Sequence, residues 1–169
     1  LFLHVNRRLA QSKIYTRYNF MVGLPTETHQ DRIETVEMAL KLLEENPNMG
    51  LNTFYTFVPY PGTALWPVCL KLGFEAPKRL EEWAEFNRHH KKTPWAREIE
   101  QELRNLEISS KFVGRRFGEM FPDNEEVRAL TRDYTERWRE RDITGDAYLV
   151  LNERAHAALR KIFGENYYY

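Results

Sequence analysis

Residues 15–22, YTRYNFMV, followed at once by Gly23-Leu24-Pro25, decide the fold of this chain. The aromatic and β-favouring residues of this stretch predict a strand, and the glycine and proline after it predict a turn. Residues 28–45 then carry apolar side chains at three- and four-residue intervals, which is typical of an amphipathic helix. Thr28 and Asp31 have the spacing of a capping box at the start of that helix.

A second strand is predicted at residues 51–58, LNTFYTFV, between the helix-breaking segment 46–50 and the turn PYPGT at residues 59–63. Strand, helix and strand in this order form a βαβ unit, in which the strands are parallel and the crossover is right-handed. Two parallel strands alone leave unpaired edges and bury little core. Because the later sequence offers no convincing strand, we expect the neighbouring strands upstream of Leu1. A first residue other than methionine, inside a helical pattern without a cap, agrees with this expectation and equally with a trimmed chain.

The sequence after residue 62 is predominantly helical. Helices are predicted from Thr63 to Leu72, at residues 79–87, from Thr93-Pro94 onward, near residues 125–140 and near residues 153–163, and one long apolar face runs from Ile99 to Met120. We therefore divide the chain into a βαβ segment, residues 1–75, and a helical extension, residues 76–169.

The composition excludes several classes of protein. Lysine plus arginine and aspartate plus glutamate both total 25, so the formal net charge is zero. This balance argues against a nonspecific nucleic-acid binder, whose affinity depends on surplus cations. No apolar run reaches the ~20 residues of a membrane span, and no segment resembles a signal peptide. Cys69 is the one cysteine, which rules out an internal disulfide and favours a reducing cytoplasm.

Two loops follow the predicted strands, and both are candidate ligand sites. In parallel α/β folds, ligands gather where the carboxyl ends of the strands meet. Gly23 lets the backbone approach a ligand closely, apolar neighbours can sandwich a flat heterocycle, and backbone amides can read its edge. The second loop, Phe57-Val58-Pro59, leads into the turn PYPGT. Taken singly, each loop is more often a plain turn than a ligand site.

Taken together at this spacing, the two motifs point to a known family. NFMVGLPTET at residues 19–28 and FVPYPGT at residues 57–63 resemble the fifth and sixth strands of the radical SAM barrel. The resemblance is closest to the group often preceded by a cobalamin-binding domain, which includes methyltransferases and the anaerobic cyclase of chlorophyll synthesis. LEEWAEFNRHHKKTPW at residues 80–95 is similar to a stretch that follows the barrel in many such proteins. The likeness covers residues 1 to about 110 and is specific up to residue 63.

The resemblance implies the C-terminal fragment of a partial (β/α)₆ barrel that holds S-adenosylmethionine and a [4Fe–4S] cluster, with cobalamin as a candidate third cofactor. It implies contacts to the adenine of S-adenosylmethionine from Met21, Val22, Gly23, Leu24, Pro25, Phe57, Val58 and Pro59. Its partners would be the rest of the barrel, upstream, and a small-molecule substrate. The family's CxxxCxxC motif is absent, and Cys69 alone cannot supply three thiolates. We therefore assign no catalytic or metal-binding residue here and expect this chain alone to be inactive.

Two other functions stay open from the sequence: a noncatalytic helical interaction module on a βαβ scaffold, and a stand-alone adenine-nucleotide binder. A histidine metal site is disfavoured, because His89 and His90 are adjacent on a loop and the other histidines are scattered. The charge-alternating run at residues 132–141 predicts i,i+4 ion pairs on an exposed helix. Cys69 is interpreted as a small buried hydrophobic residue.

Overall fold

Two parallel strand pairs lie at the centre of the βαβ segment in the computed structural model, which describes residues 1–85 and 93–164 apart from the side chains of residues 84 and 85. The strands are β1 (Thr16–Tyr18), β2 (Met21–Val22), β3 (Met49–Leu51) and β4 (Tyr55–Thr56). The helices are α1 (Phe2–Ala10), α2 (His29–Glu45), α3 (Trp66–Lys71), α4 (Leu80–Glu85), α5 (Pro94–Arg97), α6 (Glu100–Val113), α7 (Arg116–Met120), α8 (Glu125–Arg139) and α9 (Ala147–Phe163). The protein is thus mixed α/β and mostly helical.

The two strand pairs belong to two longer strands with one irregularity. β1 pairs with β3, and β2 pairs with β4, in both cases parallel, which confirms the predicted βαβ arrangement. Three residues separate Leu51 from Tyr55, whereas two separate Tyr18 from Met21, so the second strand carries one extra residue. The amides of Asn52 and Tyr55 nevertheless continue the ladder, donating to the carbonyls of Tyr18 and Phe20 at 3.0 and 2.9 Å. The interruption is a bulge within one parallel pair.

The crossover helix α2 forms as its sequence predicts. Thr28 precedes it, the Thr28 hydroxyl accepts a hydrogen bond from the Asp31 amide, and the Asp31 carboxylate accepts one from the Thr28 amide. Its apolar stripe faces the core, with Ile33, Val36, Ala39, Leu40, Leu42 and Leu43 all buried. The opening helix α1 is held to α2 by Asn6, a fully buried amide that donates to the Leu42 carbonyl at 2.9 Å.

Helix α6 closes the outer edge of the second strand. The Leu51 amide donates to the Gly114 carbonyl at 3.2 Å, and the Phe54 amide donates to the Ser110 hydroxyl at 2.9 Å. A Cβ on Gly114 would stand 3.0 Å from the Leu51 carbonyl oxygen, so only glycine allows this approach. These bonds occupy donors that a further strand would otherwise use.

The helical extension is built on α6, α8 and α9. Its largest fully buried side chains are Trp138, Tyr134, Tyr148, Phe112, Leu106, Ile108, Leu130, Ile143 and Leu159. The same apolar cluster continues into the βαβ segment through Val22, Met49, Leu51 and Phe54. The division of the chain after residue 75 stays a prediction. No helix within the described ranges is both long and apolar enough to cross a bilayer.

The predicted continuous apolar face from Ile99 to Met120 is broken after α6. Arg115 has a left-handed backbone with φ of 67°, and α7 begins at the next residue. Its guanidinium donates to the carbonyls of Asn46 and Pro47 at 3.3 and 2.9 Å, and to that of Leu43. These carbonyls lie at the C-terminus of α2, where helix oxygens lack intrahelical partners. The hydrogen bonds of Arg115 to these carbonyls, about seventy positions earlier in the chain, therefore offset the strain of its left-handed backbone.

Four further local predictions differ from the structure. The second strand begins at Met49, inside the predicted helix-breaking segment 46–50, and not at residue 51. Thr63 does not cap α3, since its hydroxyl donates instead to the Tyr60 carbonyl at 2.8 Å and the helix begins at Trp66. The last helix begins at Ala147, earlier than residue 153. The charged run of α8 does not form the expected i,i+4 pairs on a fully exposed helix. Within residues 132–141, Arg137 pairs with Glu140 and Asp142, Arg132 pairs with Glu125, and Arg139 and Arg141 pair with Glu44 and Glu37 of α2. Tyr134 and Trp138 of the same run are fully buried.

The contact between Arg115 and the end of α2 yields a stability prediction. Arg115→Ala removes the guanidinium donors while leaving the strained backbone, so we expect the free energy of unfolding to fall by about 1–2 kcal/mol. Urea unfolding followed by circular dichroism measures this. Arg116→Ala, at the neighbouring exposed position, is the control and should change stability by less than about 0.5 kcal/mol. Equal effects of the two substitutions would contradict the role given to Arg115.

Candidate functional site at the carboxyl ends of the two strands

The two predicted loops lie side by side at one edge of the sheet. Because β2 and β4 are parallel, their carboxyl ends share this edge, and the Phe57 amide donates to the Val22 carbonyl at 2.8 Å. A Cβ built on Gly23 would stand 3.1 Å from Thr56 Cγ2, which shows how closely the two strand ends approach. We call residues 23–27 the Gly23 turn and residues 57–59 the Pro59 loop.

The eight predicted adenine-contacting residues differ strongly in exposure. Val22, Gly23, Pro25, Phe57 and Pro59 are buried, Leu24 and Val58 are half-buried, and Met21 is 52% exposed. The structure therefore brings all eight to one edge of the sheet, but a ligand there could reach the side chains of only three. Their assignment to an adenine pocket stays a prediction.

Both polar backbone groups of Gly23 already have partners within the chain. Its amide donates to Glu27 Oε2 at 2.5 Å, and its carbonyl accepts from the Trp95 indole Nε1 at 3.0 Å. Its φ of 76° is in the left-handed region, which favours glycine. A ligand that reads the edge of a heterocycle through backbone amides would therefore use neighbours of Gly23.

A buried ionic cluster contacts the Gly23 turn through Glu27. Arg32 lies between two carboxylates: its Nη1 is 3.4 Å from Glu27 Oε2, while its Nε and Nη2 donate to Glu102. The side chains of Arg32, Glu27 and Glu102 are 3, 7 and 8% exposed. His29 Nδ1 lies 3.2 Å from Glu102 Oε1 at the exposed rim. We call Glu27, Arg32 and Glu102 the buried triad.

The sequence did not predict the buried triad, because Glu102 is seventy residues from Arg32, on a helix assigned to the extension. One signal was present. Arg32 precedes Val36 by one helical turn, so a charged residue stands on the apolar stripe of α2. A cation at such a position requires a buried anionic partner, and Glu27 and Glu102 fill that role.

Burial sets the electrostatics of Glu27. Loss of hydration raises the pKa of its carboxyl group, and this outweighs the Gly23 amide and Arg32, which act in the opposite direction. The folded chain therefore holds a proton on Glu27 at higher pH than the unfolded chain does.

An aromatic cover, Phe57, Trp66, Phe74 and Trp95, lies over the strand ends. Phe74 contacts Trp66 edge-on with ring centroids 5.8 Å apart and Trp95 at 6.4 Å. Cys69 packs against Phe57 and Phe74 and is fully buried, which confirms its interpretation as a small hydrophobic residue, and burial raises the pKa of its thiol. A [4Fe–4S] cluster requires several accessible thiolates, so this residue does not fit one.

The described residues contain no group of three or more His, Cys, Asp or Glu side chains placed to hold a metal ion. His4, His29 and His156 belong to three different helices, α1, α2 and α9. The predicted loop of His89 and His90 lies outside the described residues.

Within residues 1–85 and 93–164, helices pack against one face of the sheet. On that face Phe20 stacks on Phe54 with ring centroids 5.0 Å apart. The other face is exposed and mostly polar: Arg17, Asn19 and Tyr55 are exposed there beside Met21, and Asn52 Nδ2 donates to Asn19 Oδ1 at 2.5 Å. Parallel sheets are normally buried on both faces, so this face is unusual for the fold.

The outer edge of the first strand is also open within the described part of the chain, where β1 and β2 have a single neighbour each. Exposed apolar side chains are frequent in the part of the chain that leads up to and includes the first strand. Of the sixteen large hydrophobic residues that are exposed among the described ones, six fall in the first 21 positions: Leu1, Phe2, Val5, Ile14, Tyr15 and Met21. These side chains therefore leave apolar surface exposed at the start of the described chain.

Comparisons with protein-family models, with curated proteins and with solved structures gave no match for this chain.

The Trp95 indole yields a prediction for the turn. Trp95→Phe keeps an aromatic ring but removes the donor to the Gly23 carbonyl, so we expect a loss of about 1 kcal/mol in the free energy of unfolding. The control is Trp66→Phe in the same aromatic cover, which removes a ring contact without touching Gly23. Chemical denaturation gives both values, and the Gly23 amide resonance should shift only in the Trp95 variant. A shift of equal size in both variants would refute the assignment.

The raised pKa of Glu27 yields a prediction about pH. A carboxyl group whose pKa is higher in the folded state contributes stability below its unfolded pKa of about 4.3, and this is lost as pH rises through the folded value. Glutamine does not titrate. We therefore expect the stability of the wild type, relative to Glu27→Gln, to decrease as pH rises from about 4 to 7. Denaturation at several pH values measures this difference; a constant or increasing difference would show that the pKa is not raised.

Proposed function

We propose that this chain is the C-terminal portion of a cytoplasmic radical SAM enzyme, of the methyltransferase or cyclase type. Its two strands would be the last two of a partial (β/α)₆ barrel. The observation that carries the proposal is the meeting of GLPTET and FVPYPGT at one edge of a parallel strand pair, where such folds bind ligands. The spacing of these motifs suggested the family, and their proximity in space agrees with it.

The open surfaces of the sheet support the barrel. In a barrel, one face of each strand lines the interior and the other packs against the outer helices. The helix-covered face around Phe20 and Phe54 suits the outer side, and the polar face of Arg17, Asn19 and Tyr55 suits the interior, where a substrate binds.

The two strand edges support a particular position in that barrel. Helix α6 closes the outer edge of the second strand, so additional strands can pair only with the first strand. Sequential parallel strands in a barrel are neighbours, so strands beside the first strand would precede it in sequence. The rest of the barrel would therefore be an upstream segment that also covers the exposed apolar residues of α1.

S-Adenosylmethionine would be contacted at the strand ends by the side chains of Met21, Leu24 and Val58, with the buried Phe57 and Pro59 supporting them. These are binding roles, since none of these residues carries an acid, a base or a nucleophile. Residues outside this chain would hold the [4Fe–4S] cluster, which would supply the electron that breaks a carbon–sulfur bond of the sulfonium. The cluster ligands would lie upstream, as would a cobalamin domain, so this chain alone is inactive in our proposal.

A noncatalytic interaction module is the second candidate, and the distribution of the core favours it. Among the residues that the structure describes, nine of the twelve largest fully buried side chains lie beyond residue 93, in the helical extension. Helices that contribute most of the large buried side chains can serve as a binding module, with the βαβ segment as scaffold. The reading frame upstream of Leu1 discriminates the two: CxxxCxxC within a couple of hundred residues supports the enzyme, and a native start at Leu1 supports the module.

Met21 allows a direct test of the adenine pocket in the full-length, cluster-reconstituted enzyme. Because Met21 is exposed, Met21→Gln should fold normally, and losing its apolar contact should weaken S-adenosylmethionine binding about fivefold, or ~1 kcal/mol. Met38→Gln, at a methionine 37% exposed on α2, is the matched control and should leave affinity unchanged. Calorimetry measures both, and we expect no binding by the 169-residue chain alone. Equal affinities for both variants and wild type would place the adenine elsewhere.

A further inference from the structure

We infer that Arg32 and Glu102 are positioning residues: they hold the Glu27 carboxylate where it accepts a hydrogen bond from the Gly23 amide. Helix α6 would thereby set the conformation of the Gly23 turn through the buried triad. The inference concerns the turn itself and does not require its ligand to be S-adenosylmethionine.

The contacts form an unbroken path from α6 to the turn. Glu102, in the first turn of α6, accepts hydrogen bonds from Nε and Nη2 of Arg32. Nη1 of the same guanidinium reaches the Glu27 carbonyl at 3.2 Å and its carboxylate at 3.4 Å. The Glu27 carboxylate in turn accepts a hydrogen bond from the Gly23 amide at 2.5 Å. Each group in the path is therefore held by the one before it.

Charge and burial couple the three side chains of the buried triad. The guanidinium has donors on both of its sides, and each side is matched by a carboxylate in a nearly dry environment. Removing one partner from such a group leaves a buried charge only half compensated, so the remaining groups rearrange to recover hydrogen bonds or water. Neutralising Glu102 should thus displace Arg32 and, with it, the Glu27 carboxylate.

Helix α6 also touches the turn directly. Leu103 follows Glu102, and its Cδ1 and Cδ2 would stand 3.2 and 3.3 Å from a Cβ on Gly23. The helix therefore contacts the amide side of the turn through the triad and its Cα side through Leu103. Because α6 contacts the Gly23 turn on two sides, a displacement of α6 should change the conformation of the turn.

Amide hydrogen exchange of Gly23, measured by NMR on the 169-residue chain, tests the inference. In Glu102→Gln we expect Gly23 exchange to accelerate at least tenfold relative to the amides of Val36 and Leu130, whose side chains are fully buried. Glu100→Gln is the control, because Glu100 is an exposed glutamate in the same first turn of α6. It should leave the ratio unchanged. A merely structural role of Glu102 would accelerate all three amides equally and would overturn the inference.

A double-substitution cycle shows whether Glu102 acts through Glu27. If it does, the variant with both Glu27→Gln and Glu102→Gln should exchange Gly23 no faster than Glu27→Gln alone. Independent, multiplying effects would refute the path. Should Glu102→Gln fail to fold, Glu102→Asp keeps the charge but shortens its reach: faster Gly23 exchange supports the inference, and wild-type exchange contradicts it.

Discussion

The hydrogen bonds from the Leu51 and Phe54 amides to the end of α6 are the constraint on which the rest of the structure depends. They fix α6 along the second strand, and they also fix its direction, because the start of the helix reaches the opposite end of that strand. From Leu103 to Gly114 the helix rises roughly 17 Å, and from Leu51 to Thr56 the strand extends roughly as far. The helix therefore runs antiparallel to the strand and contacts both of its ends.

This match of lengths explains why the candidate site depends on a helix outside the motif. A helix pinned at Gly114 brings Glu102 and Leu103 to the strand ends, beside Gly23. Arg32, the charged residue on the apolar stripe of α2, thereby gains Glu102 as its second carboxylate partner. Edge closure, the buried triad and the support of the turn are thus consequences of one packing arrangement.

The sequence predicted the features that local interactions determine. The capping box of α2, its buried stripe and the parallel βαβ order depend on residues close in sequence, and the structure agrees with each. The break at Arg115 depends on carbonyls at the far end of α2, so the apolar periodicity from Ile99 to Met120 gave no sign of it. The motif likewise predicted that Gly23 and the Pro59 loop meet, but not that Glu27 and Trp95 already occupy the polar groups of Gly23.

The two functions of α6 are separable because they lie at opposite ends of the helix. Ser110 and Gly114 hold the strand edge through an uncharged hydroxyl and a backbone carbonyl, which both act as acceptors. Glu102 holds the turn, and its contribution depends on charge. A substitution at the first turn can therefore loosen the Gly23 turn while the strand edge stays closed. Helix α6 stabilises both the fold and the shape of the candidate site, but substitutions can change each of them independently.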